Sequence, residues 1–273
     1  MTKEHITAHR RGFDRGFTAI ARQLDPDNPS RIGIGVWRLA GSERSVQHIT
    51  CETAWLLMSG SVRVTVGQRE FELSRESLFD ESASCVHAPA GATIAFDASR
   101  DTEIMVFDCA NLRPFEARVF TAKDVPNEPR GRGQVGDRAL RYVRTIFDRS
   151  NSPDAVELVL GEVVTFPGGW SSYPPHHHPQ PEIYHYRFTQ PQGYGHAELG
   201  DNVVKVMEHD TIHIPAGLDH AQCAAPGYGM YYSWVIRHLP DQPYTIPDFT
   251  AEHAWTLQAG APFWRPREMD HNE

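Results

Sequence analysis

The sequence predicts an all-β chain built as a duplicated barrel, and three observations carry that expectation. Short alternating runs rich in Val, Ile, Leu and aromatic residues recur along the chain, bounded by Gly and Pro turns. The tripeptide Pro-Ala-Gly occurs at residues 89–91 and again at 215–217, as if one unit had been copied. The second copy alone carries a set of histidines and a carboxylate spaced for two facing strands.

Taken in order, residues 1–24 are polar, with Arg10, Arg11 and Arg15, and lack the apolar segment of a secretory signal. Residues 32–39, 54–58, 61–66 and 103–107 read as short strands, with turns at Ser59-Gly60, Val66-Gly67 and Ala88-Pro89-Ala90-Gly91. They define a first barrel over residues 1–115. This half has no His after its Pro-Ala-Gly, and His48 and His87 are isolated, so it is read as lacking metal ligands. Residues 116–152 read as a connection. Lys123 to Asp137 is rich in Gly and Pro, and Arg130, Arg132, Arg138, Arg141 and Arg144 cluster there. Most of these arginines are expected to be solvated, with one or two able to reach a substrate anion. From 153 to 240 the strand pattern returns (156–160, 162–166, 203–207, 211–214 and 230–237), giving a second barrel. Residues 241–273 form a Pro- and aromatic-containing tail that packs over a barrel or exchanges with another subunit.

The chemistry concentrates between Gly168 and His220. His176-His177-His178-Pro179-Gln180-Pro181-Glu182 is H-x-H-x3-E, and Pro215-Ala216-Gly217-Leu218-Asp219-His220 follows a hairpin later. On extended backbone alternate side chains share a face, so His176 and His178 point together and Glu182 has the same parity. His220 follows a Pro/Gly turn that can bring it opposite them. Three imidazoles and one carboxylate make a site for one divalent transition metal, with Zn, Mn, Fe, Co and Ni all compatible.

Composition excludes other classes. The formal charge is −9 and no stretch gathers Lys and Arg into a stripe, which argues against nucleic acid. No run approaches the length of a membrane span. Cys51, Cys85, Cys109 and Cys223 are scattered without C-x-x-C pairing, as in a reducing, cytoplasmic setting.

The two metal motifs in a β-barrel resemble the cupin superfamily. Trp170 to His176 followed by Glu182 to Phe188 is similar to the 5-deoxy-glucuronate isomerases of myo-inositol catabolism, a family whose sister group is the 4-deoxy-5-ketouronate isomerases. Arg130-Gly131-Arg132-Gly133, Arg141-Tyr142-Val143, Pro191 to Gly195, Ala225 to Tyr232 and His253-Ala254-Trp255 extend the resemblance. The sequence departs from that family in a short loop between His178 and Glu182, one extra residue before His220, and His185 where Tyr is usual. The resemblance implies a bicupin of two jelly-roll-like barrels, the first inert. It also implies a metal-dependent aldose–ketose isomerisation of a sugar acid, most simply 5-deoxy-glucuronate to 2-deoxy-5-keto-gluconate.

Metal ligands are then His176, His178, Glu182 and His220. Candidate proton carriers are Tyr184 and Tyr186, which share the parity of Glu182, and Lys205, whose bland alternative is an outward-facing charge. Tyr232 and Trp234 are candidate substrate contacts, as is Arg187, although its parity is opposite to that of Glu182. The same chemistry on a different sugar, a metal-dependent dioxygenase and a sugar-binding regulator are the alternatives. A homo-oligomer is expected from apolar outer sheet faces.

Overall fold

The computed structural model describes residues 4–266. Its regular structure is β throughout, apart from two single 3-10 turns at Val135–Asp137 and Ala254–Leu257.

The first half forms a nine-stranded array. Its longest strand, Glu52–Val66, bends so that one end pairs with Cys85–Ala88 and Thr102–Cys109 while the other pairs with Arg69–Arg75 and Thr93–Ala98. The expected break at Ser59-Gly60 is therefore a corner within one strand. Gly60 takes φ +100°, and a side chain there would overlap the backbone of Asp101 and Thr102. A glycine inside a strand marks a bend or a close backbone approach as readily as a turn.

The second half is two facing sheets. Seven strands run in the order His5–Ile6, Thr211–Ile214, Glu182–Phe188, Met230–Arg237, Leu158–Thr165, Arg141–Phe147 and Glu128–Arg130. Five run in the order Asn202–Met207, Tyr194–Leu199, His220–Ala224, Trp170–His177 and Asp248–Phe249. The stretch expected only to connect the halves thus supplies two strands to the second sheet. The N-terminal residues also cross over, with His5 opposite Ile212. Leu158–Thr165 is one strand where two runs were expected. Gly161 interrupts the apolar pattern because the Trp234 indole lies where its side chain would be.

Three apolar cores explain the architecture. Trp37, Trp55, Leu57, Val64, Phe96 and Ile104 fill the interior of the first barrel. Tyr184, Tyr186, Phe188, Leu199, Ile212 and Tyr232 are among those inside the second. A third core lies between the barrels, where Ile34, Leu56, Met105 and Phe107 of one half meet Phe147, Leu158, Leu160 and Val235 of the other. Each large sheet is thus apolar on both faces, which accounts for its continuous hydrophobic runs.

Buried polar groups also tie the halves together. Glu162 accepts hydrogen bonds from Arg75 of the first barrel (2.5 Å) and Arg144 (2.9 Å), and from the Tyr231 hydroxyl (2.7 Å). Glu52 reaches across to the backbone N–H groups of Glu157 and Leu158, both at 2.9 Å. His87 sits 2.9 Å from Glu52 and stacks on Phe147, while His48 is exposed beside Thr93. All four cysteines are free. Among the described residues no helix is long and apolar enough to cross a membrane.

Candidate metal centre

Two strands of the small sheet and one of the large sheet converge at one end of the second barrel. His176 and His220 are direct cross-strand partners, with ring centroids 4.4 Å apart. Glu182 opens its strand on the large sheet, and His178 lies in the short loop before it. The donor atoms of His178, Glu182 and His220 all lie within 4.8 Å of one another, and all three residues are buried. His176 stands beside this group, with its ring 6.5 Å from that of His178. His177 points the other way, onto Asp219 at 2.7 Å.

Protonation fits a cation. His220 Nδ1 donates to the Leu218 carbonyl at 3.0 Å, which turns Nε2 toward the group. His220 Nε2 lies 3.4 Å from Glu182 Oε2 without a hydrogen-bond partner, and His178 Nε2 donates to the same carboxylate oxygen at 3.1 Å. The backbone bond at Nδ1 is the arrangement by which a ligating imidazole is oriented. Burial, reinforced by His220, lowers His176 to about 3, so its ring is neutral. Burial alone would raise Glu182, but His178 and His220 outweigh it and bring the carboxylate down to about 2. A neutral His176 beside an ionised Glu182 suits a divalent metal, whose ligands bind deprotonated.

Beside this group is a cavity of about 290 Å³. Its wall includes His176, Glu182, Tyr184, Trp234, Arg130 and Arg141, and the tail covers it with Tyr244, Ile246, Pro247 and Phe249. The tail is held by pairing of Asp248–Phe249 with His176 and His177, and by the Thr250 N–H bonded to the Pro175 carbonyl at 2.9 Å. Tyr244 packs its ring 5.0 Å from that of His178. Of the two fates expected for the tail, the chain itself uses the first.

Tyr184 and Tyr186 both point into the barrel. The Tyr184 hydroxyl meets Ser172 Oγ at 3.2 Å, and its ring stacks on Tyr232 at 4.5 Å. Tyr186 lies deeper and donates to Gln222 at 2.7 Å. Burial raises both phenols well above their ordinary value. Tyr232 bonds to Ser171 and Ser172, both at 3.0 Å, behind the cavity wall, whereas Trp234 lines the cavity itself.

Two candidates stand elsewhere. Lys205 is exposed on the Asn202–Met207 strand, with its ammonium over the Tyr194 ring at 4.1 Å. Val203, Lys205 and Met207 take the outward face of that edge strand, so the amine does not reach the cavity. Arg187 lies on the opposite face from Glu182, as its parity requires, and there pairs with Glu103 of the first barrel and with Glu208. Arg144, from the arginine cluster, is engaged with Glu162. Arg130 and Arg141 do enter the cavity wall. Their composition gave no way to single them out, because β-pairing to the second sheet selects them. Tyr244 had no sequence signal, since its role depends on the path of the tail.

An all-β chain of two packed jelly-roll-like barrels, with a His/Glu cluster in one barrel mouth, is a bicupin. More narrowly, the profile of the KduI/IolB family matches residues 7–256, and the chain belongs to that family. The 5-deoxy-glucuronate isomerase of Geobacillus kaustophilus is 26% identical over 243 residues, covering 79% of this chain and 86% of its own length. An IolB-like protein of Salmonella typhimurium superposes with a TM-score of 0.78 at 24% identity, over 90% of this chain and 97% of that one. A cupin 2 conserved barrel domain protein of Leptotrichia buccalis gives a TM-score of 0.51 at 13% identity, over 85% and 95%. These two structures share the fold.

Proposed function

We propose that this protein is a metal-dependent aldose–ketose isomerase of a sugar acid, with 5-deoxy-glucuronate as substrate and 2-deoxy-5-keto-gluconate as product. The observation that carries the reading is the buried group of His178, Glu182 and His220 at the mouth of a barrel in a KduI/IolB family chain. The name of the Geobacillus kaustophilus relative supports the choice of sugar acid.

His176, His178, Glu182 and His220 would hold one divalent cation, whose chemistry when bound is to polarise a carbonyl and its neighbouring hydroxyl. The reaction moves one proton from the carbon bearing the hydroxyl to the former aldehyde carbon, and one proton between their oxygens. Nothing else is gained or lost. Tyr184 is the hydroxyl best situated to exchange a proton with a substrate oxygen, because it lines the cavity and contacts Ser172. Its raised pKa keeps it neutral at physiological pH, so it acts as a donor. Ser172, Tyr232 and Ser171 continue the hydroxyl chain behind it. Tyr186 is the supporting phenol, bonded to Gln222 away from the cavity. Trp234 and the tail residues exclude water from the reacting carbons.

The test is proton NMR of the metal-loaded protein with 5-deoxy-glucuronate, in air and under argon. Ketose formation at equal rates in both is expected. Oxygen consumption in step with turnover would instead make the protein an oxygenase. Turnover of another sugar acid alone would retain the reaction class and replace the substrate.

A further inference from the structure

We propose that Arg141 is the carboxylate-binding residue of the cavity, taking the acid group of a sugar acid whose carbonyl end lies at the His178, Glu182 and His220 group. The inference rests on the isomerase reading and assigns the far end of its substrate.

Pairing of Glu128–Arg130 with Arg141–Phe147 sets Arg130 and Arg141 directly opposite each other. Like charges in that relation destabilise a sheet unless an anion lies between or beside them. Arg130 has one, since Glu128 sits 2.8 Å away and both are half exposed. Arg141 does not. Its Nη1 donates to the Ala139 carbonyl at 2.9 Å, and its buried Nε has no partner. Arg75 and Arg144 share Glu162, and Arg187 has Glu103 and Glu208. Among these arginines Arg141 alone lacks a carboxylate, and it lines the cavity.

The surroundings are shaped for that guanidinium. Gly131 has φ +86°, and a side chain there would overlap the Ala139 carbonyl and crowd Arg141 Nη1. Burial lowers the pKa of Arg141, and Arg130 adds to the effect, which is the signature of a charge short of a counter-ion. The same cavity is lined by His176 and Glu182. A uronate carries its carbonyl and its carboxylate at opposite ends, and the planar fork of arginine suits the latter. Oriented this way, one ligand satisfies both Arg141 and the His/Glu group.

The experiment compares the full-length, metal-loaded wild type with Arg141→Gln. Calorimetric titration uses glucuronate and glucose, which differ by a carboxylate in place of a hydroxymethyl group. The wild type should bind glucuronate about tenfold or more tightly than glucose, from one charge-assisted contact. Arg141→Gln should lose that preference, leave glucose binding unchanged, retain its metal, and melt no lower than wild type without ligand, because an uncompensated buried charge has been removed. Arg141→Lys should recover part of the preference. A Gln variant that keeps the full preference overturns the assignment and leaves the isomerase reading standing. Wild type that binds the two sugars equally, or binds neither, also overturns it. Failure of the wild type to isomerise any sugar acid overturns the isomerase reading by a separate measurement.

Discussion

His209 shows how a single residue reports on the junction between the barrels. Its backbone takes φ +66°, and its Nε2 accepts a hydrogen bond from Arg187 at 2.6 Å. Burial lowers its pKa to about 3, with further contributions from Arg187, His9 and Arg38, against which Asp210 acts. In the unfolded chain a histidine titrates near 6.5. Between those two values the unfolded chain takes up a proton that the folded protein refuses, so acidification favours unfolding. The contribution of His209 is whole above about 6.5 and is lost as the pH falls toward about 3. His209→Asn tolerates the positive φ and keeps an acceptor for Arg187. Urea denaturation at a series of pH values should show a shallower acid decline in this variant than in wild type. An unchanged slope would mean that the ring is protonated in the folded state. His176 follows the same logic at the cluster itself, where its neutral ring is a condition for serving as a ligand.

At the scale of elements, the strand Glu182–Phe188 divides its work by parity. Glu182, Tyr184 and Tyr186 face the barrel interior, while His185 and Arg187 face the first barrel, where His185 meets Thr211 at 2.9 Å. That division was legible in the sequence, because a period of two needs no tertiary information. The strand boundaries at Gly60 and Gly161 were not legible, since both glycines make room for a partner distant in sequence. Leu158–Thr165 carries the other junction. Burial would raise the pKa of Glu162, but Arg75 and Arg144 outweigh it and keep the carboxylate ionised. Glu162→Gln leaves two buried guanidinium groups without their anion and should cost about 3–5 kcal/mol of stability, measured by urea denaturation. A loss below about 1 kcal/mol would mean that solvent reaches the triad and screens it.

The whole molecule packs one barrel against a second that carries the His/Glu group. The first barrel is filled by Trp37, Trp55 and Phe96, so its interior has no room for a cluster like that of the second. The gathering of His178, Glu182 and His220, with His176 beside them, was readable from the sequence. The boundaries between the parts were not. Strands at His5–Ile6 and Arg141–Phe147 join the second sheet, and the tail closes its mouth, through contacts that no local pattern encodes. The cavity is accordingly built from separated segments: the arginine-bearing strands, the histidine hairpin, the tail, and the strands that carry Val163 and Trp234. What unites them is the buried group at the mouth, where His220 Nε2 and the Glu182 carboxylate face each other at 3.4 Å. The central claim is that a divalent cation belongs between them. Elemental analysis of purified wild-type protein beside His178→Ala tests it most directly. About one equivalent of a transition metal in the wild type, lost in a variant that keeps its β-sheet circular dichroism, is the predicted result. No metal in either protein after reconstitution with Zn, Mn, Fe, Co or Ni would contradict the claim, and the isomerase mechanism would fall with it.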